Sequence, residues 1–318
     1  MSIDKVLDYI RKGKSFLITS HMNLEGDALG SEIAMSYMLR KMRKKCFICN
    51  STAIPRIYNF FPSLNIVQSA REKLKNFDTA IVLDCSDLDR TGKVKDFVTR
   101  ARVVINVDHH MDNKNFGDAN WVNPRASSAG EMVYELFRKA KIGLNKDIAT
   151  CLYSAILTDT GSFRYRNTTA ATHIITGHLL KYGIRPEYVF KKIYESHKLS
   201  RMKLLSLALA GLVARKGVAW ISVSNDMLKK TGANFEDVEG FIEVAASIDG
   251  VKVAVLFQEI EKNKIKVGFR SRGNINVSNI AASFGGGGHF AASGCILKES
   301  LRNAEKKVLN KIRSYLEN

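Results

Sequence analysis

The feature that most constrains the fold is a run of β-branched apolar residues that ends abruptly in a carboxylate and two imidazoles. The run begins at Val103 and leads directly into Asp108, His109 and His110. Its length and composition predict a strand buried on both faces, as in a parallel sheet. Ligands of open α/β sheets bind at the carboxyl ends of such strands. Asp and His side chains there suit a divalent ion such as manganese, zinc or iron, although for this tripeptide alone a satisfied polar loop is an equal alternative.

A second segment of the same kind lies near the start of the chain. Residues 15–20 predict a buried strand, and His21, Glu25 and Asp27 follow it, with Gly26 permitting a tight turn. A helix with an apolar stripe is then expected to begin near residue 31. One strand-to-helix turn would therefore present three ligand-type side chains.

Two more carboxylates close predicted elements further along the chain. The strand of residues 79–83 ends at Asp84, and a short helical segment leads from it to the strand before Asp108, as a βαβ unit requires. Hydroxyl residues at 127 and 128 predict the start of a helix. The apolar segment of residues 148–157 then ends close to Asp159.

Four segments thus supply six candidate metal ligands. They are His21, Glu25, Asp27, Asp84, His109 and Asp159. One ion would not take six protein ligands and still leave room for a substrate, whereas two ions sharing a bridging carboxylate fit the number. Such pairs lie roughly 3.5–4 Å apart and hold both the attacking and the leaving oxygens of a phosphoryl displacement.

Length, composition and charge limit the number of domains, the cellular location and the kind of partner that can be expected. The 318 residues predict about two domains, and no apolar run approaches the roughly 20 residues of a membrane span. The start of the chain lacks the apolar core of a signal peptide, so a cytoplasmic protein is expected. The pair Cys46 and Cys49 has no second pair, which favours buried thiols over zinc or redox chemistry. The net charge of +18 favours a polyanionic partner, with a thermophile-like surface as the alternative.

The C-terminal part changes to an α+β pattern, with strands expected at residues 218–223, 251–260 and 264–269. The last strand runs into Arg270, Ser271 and Arg272, and a run of four glycines leads to His289. Consecutive glycines let the backbone approach a ligand and turn N–H groups toward an anion. With the arginines and the histidine this segment predicts a phosphate or nucleotide cradle, whereas the glycines alone would indicate only a flexible loop.

In their order along the chain, these motifs resemble those of the DHH phosphoesterase superfamily, and the C-terminal half resembles its DHH-associated domain. The resemblance covers essentially the whole chain and is closest to stand-alone oligoribonucleases of the nanoRNase and pAp phosphatase type. It implies a parallel-sheet catalytic domain (residues 1–186), a helical connector (187–213) and a smaller α+β substrate-binding domain (214–318), with a homodimer as the implied assembly.

The resemblance also implies roles for the site residues. His21 and Glu25 would hold one manganese ion, Asp27, His109 and Asp159 a second, and Asp84 would bridge both. Asp84, Asp108 and His110 would form the catalytic group, with His110 beside the scissile phosphate. The substrate's terminal phosphate and base would be bound by residues of the DHH-associated domain, namely Arg270, Ser271, Arg272, Gly287, Gly288 and His289.

One position departs from the family pattern. The family usually reads Asn-Pro-Asp-Gly-Asp where this chain has Asn-Leu-Glu-Gly-Asp at residues 23–27. The additional methylene of Glu25 adds roughly 1.5 Å of reach, against a tolerance near 0.5 Å for good catalytic sites. Glu25 either ligates from a readjusted turn, which we expect, or leaves the first metal weakly bound.

The implied activity is manganese-dependent hydrolysis of short RNAs, of linear dinucleotides such as pApA and pGpG, and of the nucleoside bisphosphate pAp. Three alternatives stay open: a cyclic-dinucleotide phosphodiesterase of the same family, a nucleotide-binding regulator whose metal site is weakened at Glu25, and an inorganic pyrophosphatase. The glycine-rich cradle argues against the pyrophosphatase branch, whose C-terminal signature is different.

Overall fold

The computed structural model describes residues 2–70, 76–288 and 290–316 of the chain. These residues form two compact units, Met1–Ser196 and His197–Asn318. His289, one of the expected substrate-binding residues, lies outside the described residues. No helix within the described ranges is both long enough and apolar enough to cross a membrane.

The first unit is built on a six-stranded sheet in which every neighbouring pair is parallel. Its strands are β1 (Ser15–Thr19), β2 (Lys45–Asn50), β3 (Val67–Ser69), β4 (Thr79–Leu83), β5 (Val103–Asp108) and β6 (Ala119–Val122). They lie in the order β3-β2-β1-β4-β5-β6, so the chain moves outward in one direction from β1 and in the other from β4. The strand order therefore reverses between β1 and β4, which is where a crevice opens at the carboxyl edge of such sheets.

The helices of the first unit lie before, between and after its strands. They are α1 (Ile3–Lys12), α2 (Gly26–Lys41), α3 (Lys95–Val98), α4 (Ala129–Lys139), α5 (Lys146–Asp159), α6 (Ala170–Leu180) and α7 (Pro186–Tyr194), with short 3-10 helices at Arg56–Tyr58, Leu64–Ile66 and Leu88–Val94. Side chains of β1 alternate between the two faces: Phe16 and Ile18 join the core under Leu29 of α2, whereas Leu17 joins the opposite core with Val98. Each such fully buried side chain contributes about 1.5–3 kcal/mol, and burial on both faces explains the continuous apolar runs.

Helix α2 begins five residues earlier than the sequence predicts, so the tight turn expected at Gly26 is wrong. Gly26 and Gly30 both lie inside the helix, where their low helix propensity conceals its true start. A Cβ at Gly26 would lie 2.5 Å from Thr158 Oγ1, and one at Gly30 would lie 2.5 Å from the Cys151 carbonyl oxygen. The glycines therefore serve the close packing of α2 on α5, and Asp27 lies in the first helical turn.

The second unit begins with α8 (Leu199–Ala210) and contains a six-stranded mixed sheet. Its remaining elements are β7 (Val213–Arg215), β8 (Val218–Val223), α9 (Asn225–Thr231), α10 (Phe241–Ala246), β9 (Val253–Glu261), β10 (Lys264–Ser271), α11 (Val277–Ala282), β11 (Gly287–Gly288), β12 (Ala292–Leu297) and α12 (Leu301–Leu316). The strand order is β11-β12-β10-β9-β8-β7, with only β8 and β9 parallel among the described pairs. This confirms the predicted fold class, a parallel α/β unit followed by a smaller α+β unit.

Candidate metal centre

Three adjacent strands, the start of α2 and the end of α5 bring the six predicted ligands to one edge of the parallel sheet. His21 follows β1, Asp84 follows β4, and His109 follows β5. Because these strands are neighbours and parallel, their carboxyl ends lie side by side about 4.8 Å apart. Asp159, the last residue of α5, reaches the same place from a helix end.

The first group of possible ligands surrounds the His21 imidazole. Its Nε2 atom lies 3.4 Å from Asp84 Oδ2 and 3.9 Å from Glu25 Oε1. One donor atom from each of these three side chains lies within 4.8 Å of the others, close enough to share one ion. The longer Glu25 side chain therefore still reaches the group, from a residue in extended conformation just before α2.

The second group surrounds the His109 imidazole. His109 Nε2 lies 3.4 Å from Asp84 Oδ1, 3.5 Å from Asp159 Oδ2 and 3.8 Å from Asp27 Oδ2. Asp27, His109 and Asp159 meet the same distance criterion for a shared ion. Asp84 thus directs one carboxylate oxygen toward each histidine, which is the geometry a bridging ligand requires.

Asp84 is the most constrained of these residues. Its side chain is 1% exposed, and neither carboxylate oxygen accepts a hydrogen bond from any group in the described part of the chain. Its backbone φ is +51°, a left-handed value that non-glycine residues rarely adopt. A buried carboxylate without donors is costly unless it is paired or coordinates a metal. The donor set of oxygens and imidazole nitrogens fits a divalent ion of the manganese kind.

The protonation of the site reflects four carboxylates crowded among imidazoles. Burial favours the neutral acid, yet His109 and His21 hold the pKa of Asp84 well below its usual range. Burial together with Asp84 raises the pKa of Asp159 to about 6 and that of Glu25 to about 7. The side chain of Glu25 is 51% exposed, so water screens part of the effect of Asp84 on it. Glu25 and Asp159 therefore bind protons more readily than Asp84, which keeps its charge.

His110 is held by the carboxylate that ends β5. Its Nδ1 atom donates to Asp108 Oδ1 at 2.7 Å and lies 3.7 Å from Asp84 Oδ1. Burial opposes a charge on the ring, but Asp108 and Asp84 raise the pKa of His110 above its ordinary value. For Asp108, burial is outweighed by the hydrogen bonds from His110 and Asn113, which keep its pKa below its ordinary value. The pair is thus an ionised carboxylate and an imidazole with increased proton affinity.

Several residues that hold the ligands in place were missed by the sequence reasoning. The backbone N–H groups of Ala129 and Gly130, at the start of α4, donate to the two carboxylate oxygens of Asp27 at 2.7 and 2.8 Å. The Asn167 amide donates to the Asp159 carbonyl and carboxylate at 3.0 and 3.3 Å. The predicted helix start was correct, and Ser128 caps it, but no pattern indicated that this helix end would meet Asp27.

The expected substrate-binding residues of the second unit lie near one end of its sheet but are not gathered on one face. Arg270 Nε donates to Glu243 Oε1 of α10 at 3.0 Å, whereas the Ser271 hydroxyl donates to the Ile275 carbonyl before α11. Neighbouring residues in a strand point to opposite faces. The glycines of β11 pair with β12, which separates them from β10 by roughly 10 Å of sheet. Arg272 follows β10, and its backbone N–H donates to the Lys252 carbonyl.

Comparisons with known proteins agree with this architecture. The N-terminal domain model of the DHH family matches residues 15–156, and the DHHA1 domain model matches residues 217–318. A bifunctional oligoribonuclease and PAP phosphatase of Thermus thermophilus is 30% identical, covering 94% of this chain and 89% of the relative. A protein of the same name from Bacillus subtilis is 29% identical, covering 88% of each.

Among solved structures, an exopolyphosphatase-related protein from Bacteroides fragilis superposes with a TM-score of 0.91 at 26% identity. The superposition covers 99% of this chain and 95% of that one. Domain models match both parts of the chain, and relatives align with it over nearly the full length. One family assignment follows. The chain belongs to the DHH family of phosphoesterases, with a DHHA1 domain following the DHH domain, and is a hydrolase.

Proposed function

We propose that this hydrolase is a manganese-dependent phosphodiesterase that degrades short oligoribonucleotides and linear dinucleotides to mononucleotides, and that it also converts pAp to AMP. The observation that carries the proposal is the placement of Asp84, whose buried oxygens lack hydrogen-bond donors among the described residues and face His21 on one side and His109 on the other. The names of the Thermus and Bacillus relatives support the substrate class.

Two ions account for the arrangement of side chains better than one. His21, Glu25 and Asp84 would hold the first ion, and Asp27, His109 and Asp159 would hold the second together with Asp84. The ions, when bound, would supply positive charge beside the attacked phosphate and activate water for attack on phosphorus. Oxygen-rich sites with imidazole suit manganese, which supports that choice over zinc bound by thiolates.

The protein's own groups would handle the proton and the charge of the leaving group. His110 has its Nδ1 bound to Asp108, which fixes the ring and leaves Nε2 as the other protonation site. A protonated His110 would stabilise charge on the phosphate oxygens and give a proton to the leaving ribose oxygen. Asp108 would stay ionised throughout, since its task is to orient and stabilise the imidazolium.

In the second unit, we assign substrate binding to Arg270, Ser271, Arg272, Gly287 and Gly288, with His289 beyond the described residues. The Arg270 side chain is about 40% exposed, and it donates from Nε to Glu243 and from Nη1 to the Phe269 carbonyl. Its remaining N–H groups can meet a phosphate. The chain's net charge of +18 is consistent with an anionic substrate.

A substrate panel with added Mn²⁺ tests the proposal. Purified protein would be incubated with pGpG, pApA, a five-nucleotide RNA, pAp, a cyclic dinucleotide and pyrophosphate, and the mononucleotide products would be quantified. We expect mononucleotides from the linear substrates, AMP from pAp, and a loss of at least about 10³-fold in the Asp84→Asn variant. Faster turnover of the cyclic dinucleotide or of pyrophosphate than of the linear substrates would contradict the proposed substrate class. Nucleotide binding without Mn²⁺-stimulated cleavage would instead identify a regulator.

A further inference from the structure

The position of Asp84 raises the question of what holds it, since none of the described groups donates a hydrogen bond to its carboxylate. The side chain must therefore be placed by the backbone that carries it. That backbone is left-handed at Asp84, with φ of +51°, and its N–H donates to the Val107 carbonyl of β5 at 3.0 Å. A left-handed aspartate persists only where its surroundings determine it, so the contacts of the following residues matter.

Two asparagine amides hold the turn after Asp84. Asn106, fully buried within β5, donates from Nδ2 to the carbonyls of Val82 and Cys85 at 3.2 and 3.1 Å. Asn113, in the loop after the two histidines, also donates to the Cys85 carbonyl, at 3.3 Å. The Cys85 carbonyl thus accepts hydrogen bonds from both amides. Its orientation fixes the left-handed turn at Asp84.

Asn113 also reaches the other catalytic side chains. Its Nδ2 atom lies 2.6 Å from Asp108 Oδ2 and 2.8 Å from Asn106 Oδ1. The other oxygen of Asp108 receives the hydrogen bond of His110. The orientation of the Asn113 amide is settled by its own oxygen, which accepts the backbone N–H of Asn115 at 2.7 Å. The NH₂ group therefore faces the three acceptors and shares its two hydrogens among them, with the Cys85 carbonyl the most distant.

We infer that Asn113 is a positioning residue that links the Asp84 turn to the Asp108–His110 pair and so sets the separation between the bridging carboxylate and the proton donor. The inference rests on the proposed function for its catalytic meaning. Without the amide, the Cys85 carbonyl loses one of its two side-chain donors and Asp108 loses its only described donor besides His110. A displacement of about 1 Å at reacting groups costs about 10²-fold in rate.

The test compares Asn113→Asp, which keeps the size but replaces the donor, with Asn120→Ala as a matched control. Asn120 lies close by in sequence, in β6, but its described side-chain bonds go only to the backbone of Gly117 and Asn115. Three quantities would be measured for each protein: kcat and KM on pGpG with Mn²⁺, the number and affinity of bound Mn²⁺ by calorimetry, and the melting temperature.

For Asn113→Asp we expect kcat to fall about 10–10²-fold with KM within about twofold of the parent, and Mn²⁺ affinity to fall about tenfold. Asn120→Ala should keep the parent's kcat and Mn²⁺ affinity, even with a lower melting temperature. Parent-like kcat or Mn²⁺ affinity in Asn113→Asp overturns the inference, as do losses in Asn120→Ala that match those of Asn113→Asp. A parent that binds Mn²⁺ but cleaves no dinucleotide overturns the proposed function instead, and the calorimetric comparison still decides the role of Asn113.

Discussion

The two units of this protein place their functional residues in opposite ways. In the first unit the candidate ligands lie at the reversal of strand order around a buried centre, in which Asp27, Asp84 and Asp108 are at most 1% exposed; Glu25 is the exposed ligand at its edge. In the second unit the side chains assigned to substrate, such as Arg270, lie at a strand end and are substantially exposed. The first arrangement is organised around charges that need a counter-ion, whereas the second leaves its groups in water until a ligand arrives.

This difference predicts which measured quantity should change when a residue of each kind is removed. Removing a ligand from this cluster should change the chemistry and the binding of metal, because it removes a donor atom and its charge from the ion. Removing an exposed cation of the proposed substrate site should change substrate affinity and hardly affect folding, because exposed ion pairs contribute only about 0–1 kcal/mol. The following expectations, from the largest effect to the smallest, test this separation.

The largest effect is expected for Asp84→Asn, which keeps the left-handed backbone but removes the charge shared between the two ion positions. We expect kcat to fall by at least about 10³-fold and Mn²⁺ binding to drop from two ions to one or none. Asp78→Asn is the matched control, since Asp78 accepts backbone N–H groups of Lys14 and Ser15 away from the site. Steady-state kinetics measures kcat, and calorimetry measures the number of bound ions, in both variants. A fully active Asp84→Asn enzyme with two bound ions would contradict the expectation that changes in the first unit act on chemistry and metal binding.

The second expectation concerns the pH dependence of stabilisation by Mn²⁺. In the metal-free protein the pKa values of Asp159 and Glu25 are raised to about 6 and about 7. A carboxyl group whose folded pKa is raised destabilises the folded state as pH climbs from its unfolded value through its folded one. Bound metal requires the ionised form, so the stability gap between metal-bound and metal-free protein should widen between pH 5 and pH 8, roughly the window those pKa values define.

At pH 8, with Mn²⁺ at about 100 times its dissociation constant, the gap should reach about 2.7 kcal/mol for each ion bound. Urea unfolding with and without a chelator measures it at each pH. A gap that stays constant over this range would mean that the outer carboxylates are already ionised without metal.

The third expectation uses a pair of glycines in helices of the first unit. A Cβ at Gly130 would lie 2.5 Å from the Ala155 Cβ and 3.2 Å from Asp27 Oδ1, whereas one at Gly177 meets nothing within 4 Å. Gly130→Ala should therefore lower the free energy of unfolding by about 1–3 kcal/mol and weaken Mn²⁺ binding through Asp27. Gly177→Ala, in the exposed interior of α6, should raise stability by about 0.5–1 kcal/mol. Equal stability of the two variants in urea would contradict this account of α4.

The smallest effect is expected in the second unit. Arg270→Ala should raise KM for pGpG about tenfold, equivalent to about 1.4 kcal/mol, while kcat and Mn²⁺ binding stay near those of the parent. Arg302→Ala, an exposed arginine in the first turn of α12, is the control and should change neither constant. If Arg270→Ala instead lowered kcat by the factor seen for Asp84→Asn, the two units could not be separated in this way.

Much of the first unit could be predicted because its strands are buried on both faces. The apolar runs before His21, Asp84 and Asp108 each mark a strand, and parallel neighbours must end at one edge. Six ligand-type side chains could therefore be placed together without knowing the strand order. The start of α2 could not be predicted, because Gly26 and Gly30 serve helix packing, and packing partners distant in sequence leave no local pattern.

The supporting residues were harder to foresee than the ligands. Asn106 gives a usable signal, since a polar residue inside an otherwise apolar strand has to find buried partners. Asn113 and Asn167 give none, because they lie in polar segments where asparagine is common. In the second unit, the alternation along β10 places Arg270 and Ser271 on opposite faces, so their proximity in sequence overstates their ability to share one ligand.

The left-handed backbone at Asp84 has a consequence for how this centre can diverge over evolutionary time. Of the amino acids with a side chain, aspartate and asparagine adopt that conformation most readily. Longer acids or β-branched residues would strain the turn itself. Descendants of this protein can thus gain or lose the charge at this point by a single base change, but they cannot easily place a longer acid there. Position 25, just before α2 and on extended backbone, carries no such restriction, and here it holds a glutamate.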